Sequence, residues 1–183
     1  MFTNTISIPF FPYQAAVWVG ISAYHASCTV MRWMSAEMNP WWIPVEFAAG
    51  LFVSRQLWVA SEYIGHRYLL HGPLYNVYHR KHHDSPIDPD YMAVPGTFMI
   101  PAAAVYYTAT YVCLGANITH LLWIFLPCHY LFFEWLHWHT HQPVYDEDSL
   151  LYMVKLYHQA HHRTPTVRYG ISSPMGDFWG DTL

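Results

Sequence analysis

The residues of this chain that could carry chemistry are histidines, and most of them fall in four short clusters. The sequence has 14 histidines in 183 residues, and ten of them follow the spacings H-x4-H, H-x2-HH, H-x3-H and H-x2-HH. In order along the chain these ten are His66 and His71; His79, His82 and His83; His137 and His141; and His158, His161 and His162. Imidazole nitrogen is a good ligand for zinc, copper and iron. The repeated clusters therefore predict a metal centre.

Helical spacing explains how the clusters can share a site. Positions i, i+3 and i+4 lie on one side of an α-helix, so each H-x2-HH cluster directs its imidazoles in one general direction, and so do His137 and His141. His66 and His71 are five residues apart and less well aligned, so we expect a bent helix end there, just before Gly72-Pro73. One first-row metal ion takes about six ligands at most. Ten imidazoles therefore fit two metal ions better than one.

The remaining histidines do not follow these spacings. We interpret His25, His120 and His129 as ordinary core or surface residues. His139 lies between two predicted ligands but on the other side of the helix, so we expect it beside the metal site or exposed.

The composition indicates a membrane protein. Hydrophobic residues make up 54% of the chain and charged residues only 11%, against roughly a quarter charged in soluble domains. No Asp, Glu, Lys or Arg occurs in 1–31 or in 91–133, and a helix needs about 20 apolar residues to cross a bilayer. The mean hydropathy is only +0.09, because Tyr, Trp, Pro and His lower it. Tyr and Trp are nevertheless favoured at membrane interfaces, so the charge-free runs are the better guide.

We therefore predict an all-α integral membrane fold, with about four transmembrane helices and a cytosolic histidine-rich dimetal cap, in a single domain over residues 1–183. The predicted spans are 13–31, 45–61, 94–114 and 118–133, with a turn at 115–117. The second span is unusual because it carries Glu46 and Arg55, which are costly in lipid. Six of the eight Lys and Arg residues lie in the segments with the histidine clusters. The positive-inside rule places those segments in the cytosol, and an even number of spans puts all four clusters on that side.

Other features exclude some classes of protein. The net charge is −4 and no basic tract is present, so we expect no nucleic-acid partner. Cys28, Cys113 and Cys128 form no C-x-x-C pair, and we interpret them as buried thiols. The N-terminus lacks the charged region of a signal peptide, so we interpret its apolar run as a retained span.

The order of the histidine spacings resembles that of the fatty acid hydroxylase/sterol desaturase superfamily. Within it, EYIGHRYLLH, the paired histidines before a proline-bearing stretch, and YGISSPMGDFWGDTL are most similar to the fatty acid 2-hydroxylases of sphingolipid acyl chains, over about 62–183. The resemblance implies a multi-pass membrane enzyme, in the endoplasmic reticulum if eukaryotic. It implies two iron ions, O2 as co-substrate and insertion of oxygen into a lipid C–H bond, with carbon 2 of an acyl chain preferred. The ligands alone would also bind zinc.

Two departures from the family pattern bear on partners and site residues. Many fatty acid 2-hydroxylases begin with a cytochrome b5 domain, which this sequence does not show. The resemblance therefore implies a separate electron donor, such as cytochrome b5 and its reductase. The family often has Tyr-Asp before the third cluster, where this chain has Phe133-Glu134. Glu134 is either a hydrogen-bond partner of a ligand histidine or a carboxylate at the membrane edge.

Alternatives remain within and outside the enzyme class. Carotenoid hydroxylases tend to have H-x4-H at the third cluster and lack the ISSP tail, and sterol desaturases usually begin with H-x3-H. A non-enzymatic membrane protein that stores or transports zinc or carries haem is the other alternative. Haem takes two axial ligands and would leave eight of the ten histidines unexplained. A transporter should show more polar residues within its spans.

Overall fold

A computed structural model describes residues 10–35, 39–144 and 146–183. In this part of the chain the regular structure is entirely helical, which confirms the all-α prediction. The helices are α1 (Phe10–Ser35), α2 (Trp42–Ile64), α3 (Arg80–Asp84), α4 (Pro89–Met92), α5 (Gly96–Thr140), α6 (Leu150–Arg163) and α7 (Met175–Gly180). Two π-helical segments, Gly65–Leu70 and Tyr75–His79, lie between α2 and α3.

The described residues divide into two compact units. The histidine unit contains Trp58–Ala93 and Phe132–Leu183, and the apolar unit contains Pro9–Leu57 and Val94–Leu131, in each case counting only the described residues. Helices α2 and α5 contribute to both units. The single domain expected over residues 1–183 stays a prediction.

Helix α5 consists of two arms rather than one rod. Gly115 interrupts it with φ +78° and ψ +167°, a conformation that glycine adopts readily because it has no Cβ. The Trp123 indole nitrogen donates to Thr110 Oγ1 at 3.1 Å across 13 residues, which would lie about 20 Å apart along a continuous helix. The two arms therefore fold back on each other, in agreement with the turn predicted at 115–117.

An ion pair links α1 and α2 in the apolar unit. The Glu46 carboxylate accepts hydrogen bonds from the Arg32 guanidinium and, at 2.8 Å, from the indole nitrogen of Trp33. An unpaired charge would be expensive in an apolar helix. The pairing accounts for the presence of Glu46 in the second predicted span.

Exposed apolar side chains on the long helices indicate a membrane environment. On α5, Val105 and Val112 are 71% and 76% exposed, and extensive apolar exposure of this kind marks a surface that contacts lipid or another protein. Among the described residues, the stretch Asp90–Thr140 is the one helical segment both long and apolar enough to cross a bilayer. Helices α1 and α2 are long, with 26 and 23 residues, but less apolar. The four crossings stay a prediction.

The cysteines correct one expectation. All three are free thiols, as predicted, but Cys113 and Cys128 are exposed rather than buried and Cys28 is half-buried. Cys113 and Cys128 lie on α5, where apolar side chains face outward, so a weakly polar thiol is exposed there together with its apolar neighbours.

Candidate metal centre

The structure brings the ten clustered histidines together in two groups of five. Site A contains His66, His71, His79, His83 and His161. Site B contains His82, His137, His141, His158 and His162. In each site one ring nitrogen from every histidine lies within 4.8 Å of the others. Both sites belong to the histidine unit, and together they include every ligand that the sequence predicted.

Each H-x2-HH cluster is shared between the two sites. His79 and His83 enter site A while His82 enters site B, and in the downstream cluster only the middle histidine, His161, enters site A. On an α-helix, positions i and i+4 are about 40° apart, whereas i+3 and i+4 are about 100° apart. The spacing thus sends the first and last histidines of each cluster to one site and the middle one to its neighbour.

A π-helical turn aligns the first pair of ligands. The His71 amide donates to the His66 carbonyl at 2.9 Å, an i to i+5 bond at the end of the π-helical segment Gly65–Leu70, and such turns occur often at functional sites. The two imidazole centroids are 5.0 Å apart. Gly72 follows, and a Cβ there would lie 2.1 Å from the Tyr68 carbonyl oxygen. The bent helix end expected from the sequence is therefore a π-helical turn closed by glycine.

The third histidine cluster lies at the end of α5, and the fourth lies on α6. His137 lies in the last turn of α5, and His141 directly follows that helix. The Ser149 hydroxyl accepts a hydrogen bond from the Tyr152 amide at 3.2 Å and caps α6. Helix α6 then carries His158 and His161, both fully buried.

Distances between the ring nitrogens fit metal ligation. His79 Nε2 lies 3.0 Å from His66 Nε2 and 3.2 Å from His83 Nε2. Site B repeats these contacts at 2.9 to 3.2 Å. A single imidazole N–H cannot serve two such neighbours as a hydrogen bond. Metal–nitrogen bonds of about 2.0–2.1 Å at right angles would separate neighbouring ligand nitrogens by about 3.0 Å, so the donor set fits one metal ion in each site.

Burial keeps these imidazoles neutral. Desolvation, followed by the charges of neighbouring histidines, lowers the pKa of His71 to about 3, of His83 to about 4 and of His162 to about 2. A metal binds the neutral imidazole. At neutral pH protons therefore offer little competition for these nitrogens.

The two sites are adjacent. The rings of His83 in site A and His162 in site B are stacked, with centroids 4.3 Å apart and planes inclined by 25°. His158 and His161 are also nearly parallel, at 5.9 Å and 20°. This adjacency is what a dimetal centre requires.

Backbone carbonyls orient two ligands of site A. His66 Nδ1 lies 2.5 Å from the Tyr169 carbonyl oxygen, and His161 Nδ1 lies 2.7 Å from that of Val167. A carbonyl can only accept, so Nδ1 carries the proton in both rings and Nε2 presents its lone pair. The Nδ1 atoms of His83 in site A and of His82, His158 and His162 in site B have no hydrogen-bond partner within the described part of the chain.

Sequence reasoning missed two acidic residues that support the site. Asp177 is fully buried and Glu62 is 7% exposed, and both accept hydrogen bonds from the segment that carries the Tyr169 carbonyl. The available signals were an acidic residue four positions before His66 and an aspartate in the quoted C-terminal motif. Neither has a spacing that indicates a role.

Glu134 and the histidines outside the four clusters each have surroundings of their own. Glu134 is 4% exposed. The burial of Tyr78, and after it the negative charge of Glu134, raise the pKa of Tyr78. The role of Glu134 beside a ligand histidine stays a prediction. His139 lies outside both sites and its Nδ1–H donates to the Trp135 carbonyl at 2.6 Å. His25 and His120 contact each other through their Nδ1 atoms at 2.7 Å and belong to neither site.

In the part of the chain that the structure describes, long apolar helices and two adjacent five-histidine groups fit a membrane protein that could hold metal ions. Residues 49–182 match the family described as fatty acid hydroxylase. The chain belongs to this family.

Individual relatives confirm the resemblance to 2-hydroxylases. The fatty acid 2-hydroxylase of Rattus norvegicus is 27% identical over 153 residues, which cover 77% of this chain and 41% of the relative. The fatty acid 2-hydroxylase of Homo sapiens is 26% identical over 153 residues, which again cover 77% of this chain and 41% of the relative. The chain thus spans about two-fifths of the length of these curated relatives. The solved structure of full-length Scs7p, with only the hydroxylase domain visible, superimposes with a TM-score of 0.74 at 20% identity, covering 94% of this chain and 66% of that one. At that identity it supports the fold.

Proposed function

We propose that this chain is a membrane-bound di-iron oxygenase that hydroxylates carbon 2 of a fatty acyl chain, either free or in ceramide. The observation that carries the proposal is the pair of adjacent five-histidine sites in a member of the fatty acid hydroxylase family. The curated relatives are named fatty acid 2-hydroxylases, which favours an acyl substrate over a carotenoid or a sterol.

Iron is the metal that suits this chemistry. Zinc fits the same nitrogen ligands and could occupy the sites in isolated protein, but it has no redox chemistry. Iron in both sites would supply the reductive activation of O2, in which one oxygen atom enters the C–H bond and the other leaves as water with two electrons and two protons. The chain itself holds ten neutral imidazoles in fixed directions and keeps water away, since His158 and His161 are fully buried.

The position of the histidines along the chain supports carbon 2. His66 follows the end of α2 by two residues, and His137 lies in the last turn of α5. If these helices cross the bilayer, the metal sites lie close to its surface. An acyl chain in the membrane presents its carboxyl end at that surface, so carbon 2 needs little displacement to reach the metals. A carbon in the middle of the chain would need a deep cavity instead.

The proposal includes partners and a location. The substrate is a lipid of the surrounding membrane, and the electrons come from a separate carrier such as cytochrome b5 and its reductase. The histidine clusters face the cytosol, because most of the Lys and Arg residues lie in the same segments. In a eukaryotic cell the membrane would be that of the endoplasmic reticulum.

Lipid mass spectrometry of an expressing host tests the substrate. Cells that produce the wild-type chain should accumulate 2-hydroxy fatty acids and 2-hydroxy ceramides, and cells that produce the His161→Ala variant should not, because that change removes a ligand of site A. Hydroxylated carotenoids or sterols, with no rise in 2-hydroxy acyl lipids, would contradict the acyl substrate.

A further inference from the structure

The ligands of site A depend on the segment between α6 and α7. Its carbonyls at Val167 and Tyr169 receive the Nδ1–H groups of His161 and His66, respectively. Two of the five ligands are thus oriented by one short stretch of backbone. The metal affinity of site A depends on how firmly that stretch is held.

Arg168, between the two carbonyls, has an unusual conformation. Its φ is +58°, in the left-handed region that residues other than glycine rarely adopt. Its amide donates to the Thr182 carbonyl at 2.7 Å. Such a conformation persists when the surroundings fix it, and here it allows both flanking carbonyls to reach a histidine.

Asp177 accepts hydrogen bonds from the two residues that follow Arg168 in this segment. Its Oδ1 accepts from the Tyr169 amide at 2.7 Å and the Thr182 hydroxyl at 2.8 Å. Its Oδ2 accepts from the Gly170 amide at 2.7 Å and the Tyr157 hydroxyl at 3.0 Å. The carboxylate is fully buried, and four donors surround it.

One peptide unit connects Asp177 to the metal ligand. The carbonyl of Tyr169 and the amide of Gly170 belong to the same planar peptide. Its oxygen accepts from His66 Nδ1, while its N–H donates to Asp177 Oδ2. A buried anion at the N–H polarises the peptide and makes its oxygen a stronger acceptor. The carboxylate therefore acts on the histidine through the peptide, much as a carboxylate does in direct contact with a ligand histidine.

Glu62 anchors the next residues from helix α2. Its Oε1 accepts from the amides of Ile171 and Ser172 at 2.5 and 2.8 Å, and its Oε2 accepts from the Trp58 indole at 3.0 Å. These residues lie beyond the peptide that contacts His66. Glu62 thus holds the same segment, but through peptides other than the Tyr169–Gly170 peptide that contacts His66.

We propose that Asp177 is a positioning residue for the metal of site A, acting on His66 through the Tyr169–Gly170 peptide. Site B has no such support from the backbone at His82, His158 or His162 within the described residues. Loss of Asp177 therefore weakens metal binding at site A and leaves site B unchanged. The inference rests on metal binding at site A, which the proposed function also requires.

Metal titration of purified full-length variants tests this selectivity. Asp177→Asn keeps the shape of the side chain, but its amide nitrogen cannot accept a backbone N–H. Zinc affinity is measured by chelator competition, with the bound zinc counted by elemental analysis. Zinc binding at site A is measured in a chain that carries His158→Ala, which removes a ligand of site B. Zinc binding at site B is measured in a chain that carries His79→Ala, which removes a ligand of site A. We expect Asp177→Asn to weaken zinc binding about 10–100-fold in the first background and not to change it in the second.

Two further variants make the result specific. Asp181→Asn is the matched control, because Asp181 is exposed and its φ of +54° suits asparagine; it should bind zinc like the parent. Tyr157→Phe removes one donor from Asp177 and should weaken site A in the same direction but by less, which preserves a test if Asp177→Asn does not fold.

Three results would overturn the inference. The first is that Asp177→Asn weakens zinc binding equally at both sites, and the second is that it leaves the zinc affinity of site A unchanged. The third is that the wild-type chain binds no zinc, and this result would also remove the basis of the proposed function. Selective weakening of site A in a chain that hydroxylates no lipid would support the inference while the proposed function fails.

Discussion

Replacement of His158 by alanine is expected to lower hydroxylation at least about 100-fold, since loss of even an indirect metal partner costs about 10–100-fold. His158 is fully buried at the centre of site B, with its Nε2 2.9 Å from that of His141 and 3.0 Å from that of His162. Alanine removes the nitrogen shared by these contacts and leaves a cavity that water can enter. Product formation per mole of purified protein, with the bound metal counted in the same sample, measures the effect.

His139→Ala is the control for this variant. His139 is also a histidine beside the site in sequence, but its Nδ1 donates to the carbonyl of Trp135 in the same helix and it belongs to neither site. It should retain most of the activity and both metals. Helical content by circular dichroism should be unchanged in both variants. Full turnover by His158→Ala would refute the assignment of site B.

Removal of both metals is expected to lower the thermal midpoint by about 10–20 °C. Each metal at a free concentration 100 times its Kd stabilises the folded chain by about 2.7 kcal/mol, or about 5 kcal/mol for two. In a chain of this size each kcal/mol shifts the midpoint by about 2–4 °C.

A thermal scan in detergent, before and after chelation, measures this shift, and adding back metal should restore the midpoint. The control is a chain with His79→Ala and His158→Ala together, which lacks a ligand in each site and should respond little to the chelator. An unchanged midpoint after complete metal removal would show that the histidine groups do not couple metal binding to folding.

The helices and the turn of the fold could be read from the sequence because their signals are local. The charge-free run of 91–133 with Gly115 in it indicates two apolar helices and a turn, and the structure has a helical hairpin broken at that glycine. The pairing of Arg32 with Glu46 across two helices was not predictable, since it depends on how the helices pack.

That the ten histidines come together was predictable, but their division between two candidate sites was not. The spacing alone singles out all ten histidines, because few other structures need imidazoles at i, i+3 and i+4 twice, together with one pair at i, i+4 and one at i, i+5. It does not show that His82 joins a different site from His79 and His83, because that depends on what lies opposite the helix. Nor does any local signal distinguish the π-helical turn at His66 from an ordinary helix end.

The supporting carboxylates were beyond sequence reasoning for a related reason. Glu62 contacts residues 109 and 110 positions later in the chain, and Asp177 acts on His66 through an intervening peptide. Contacts over such distances follow from the packed structure and leave no spacing in the sequence.

Oxygen-isotope labelling is the most direct test of the central claim, which is that this chain inserts an atom of O2 at carbon 2 of an acyl lipid. Purified protein loaded with two iron ions would be supplied with a reductant, cytochrome b5 and its reductase, and long-chain fatty acid or ceramide under 18O2. The expected result is one 18O atom per product, located at carbon 2 by fragmentation in the mass spectrometer. A product whose hydroxyl oxygen comes from water, or no hydroxylated acyl product at all from the fully loaded protein, would contradict it.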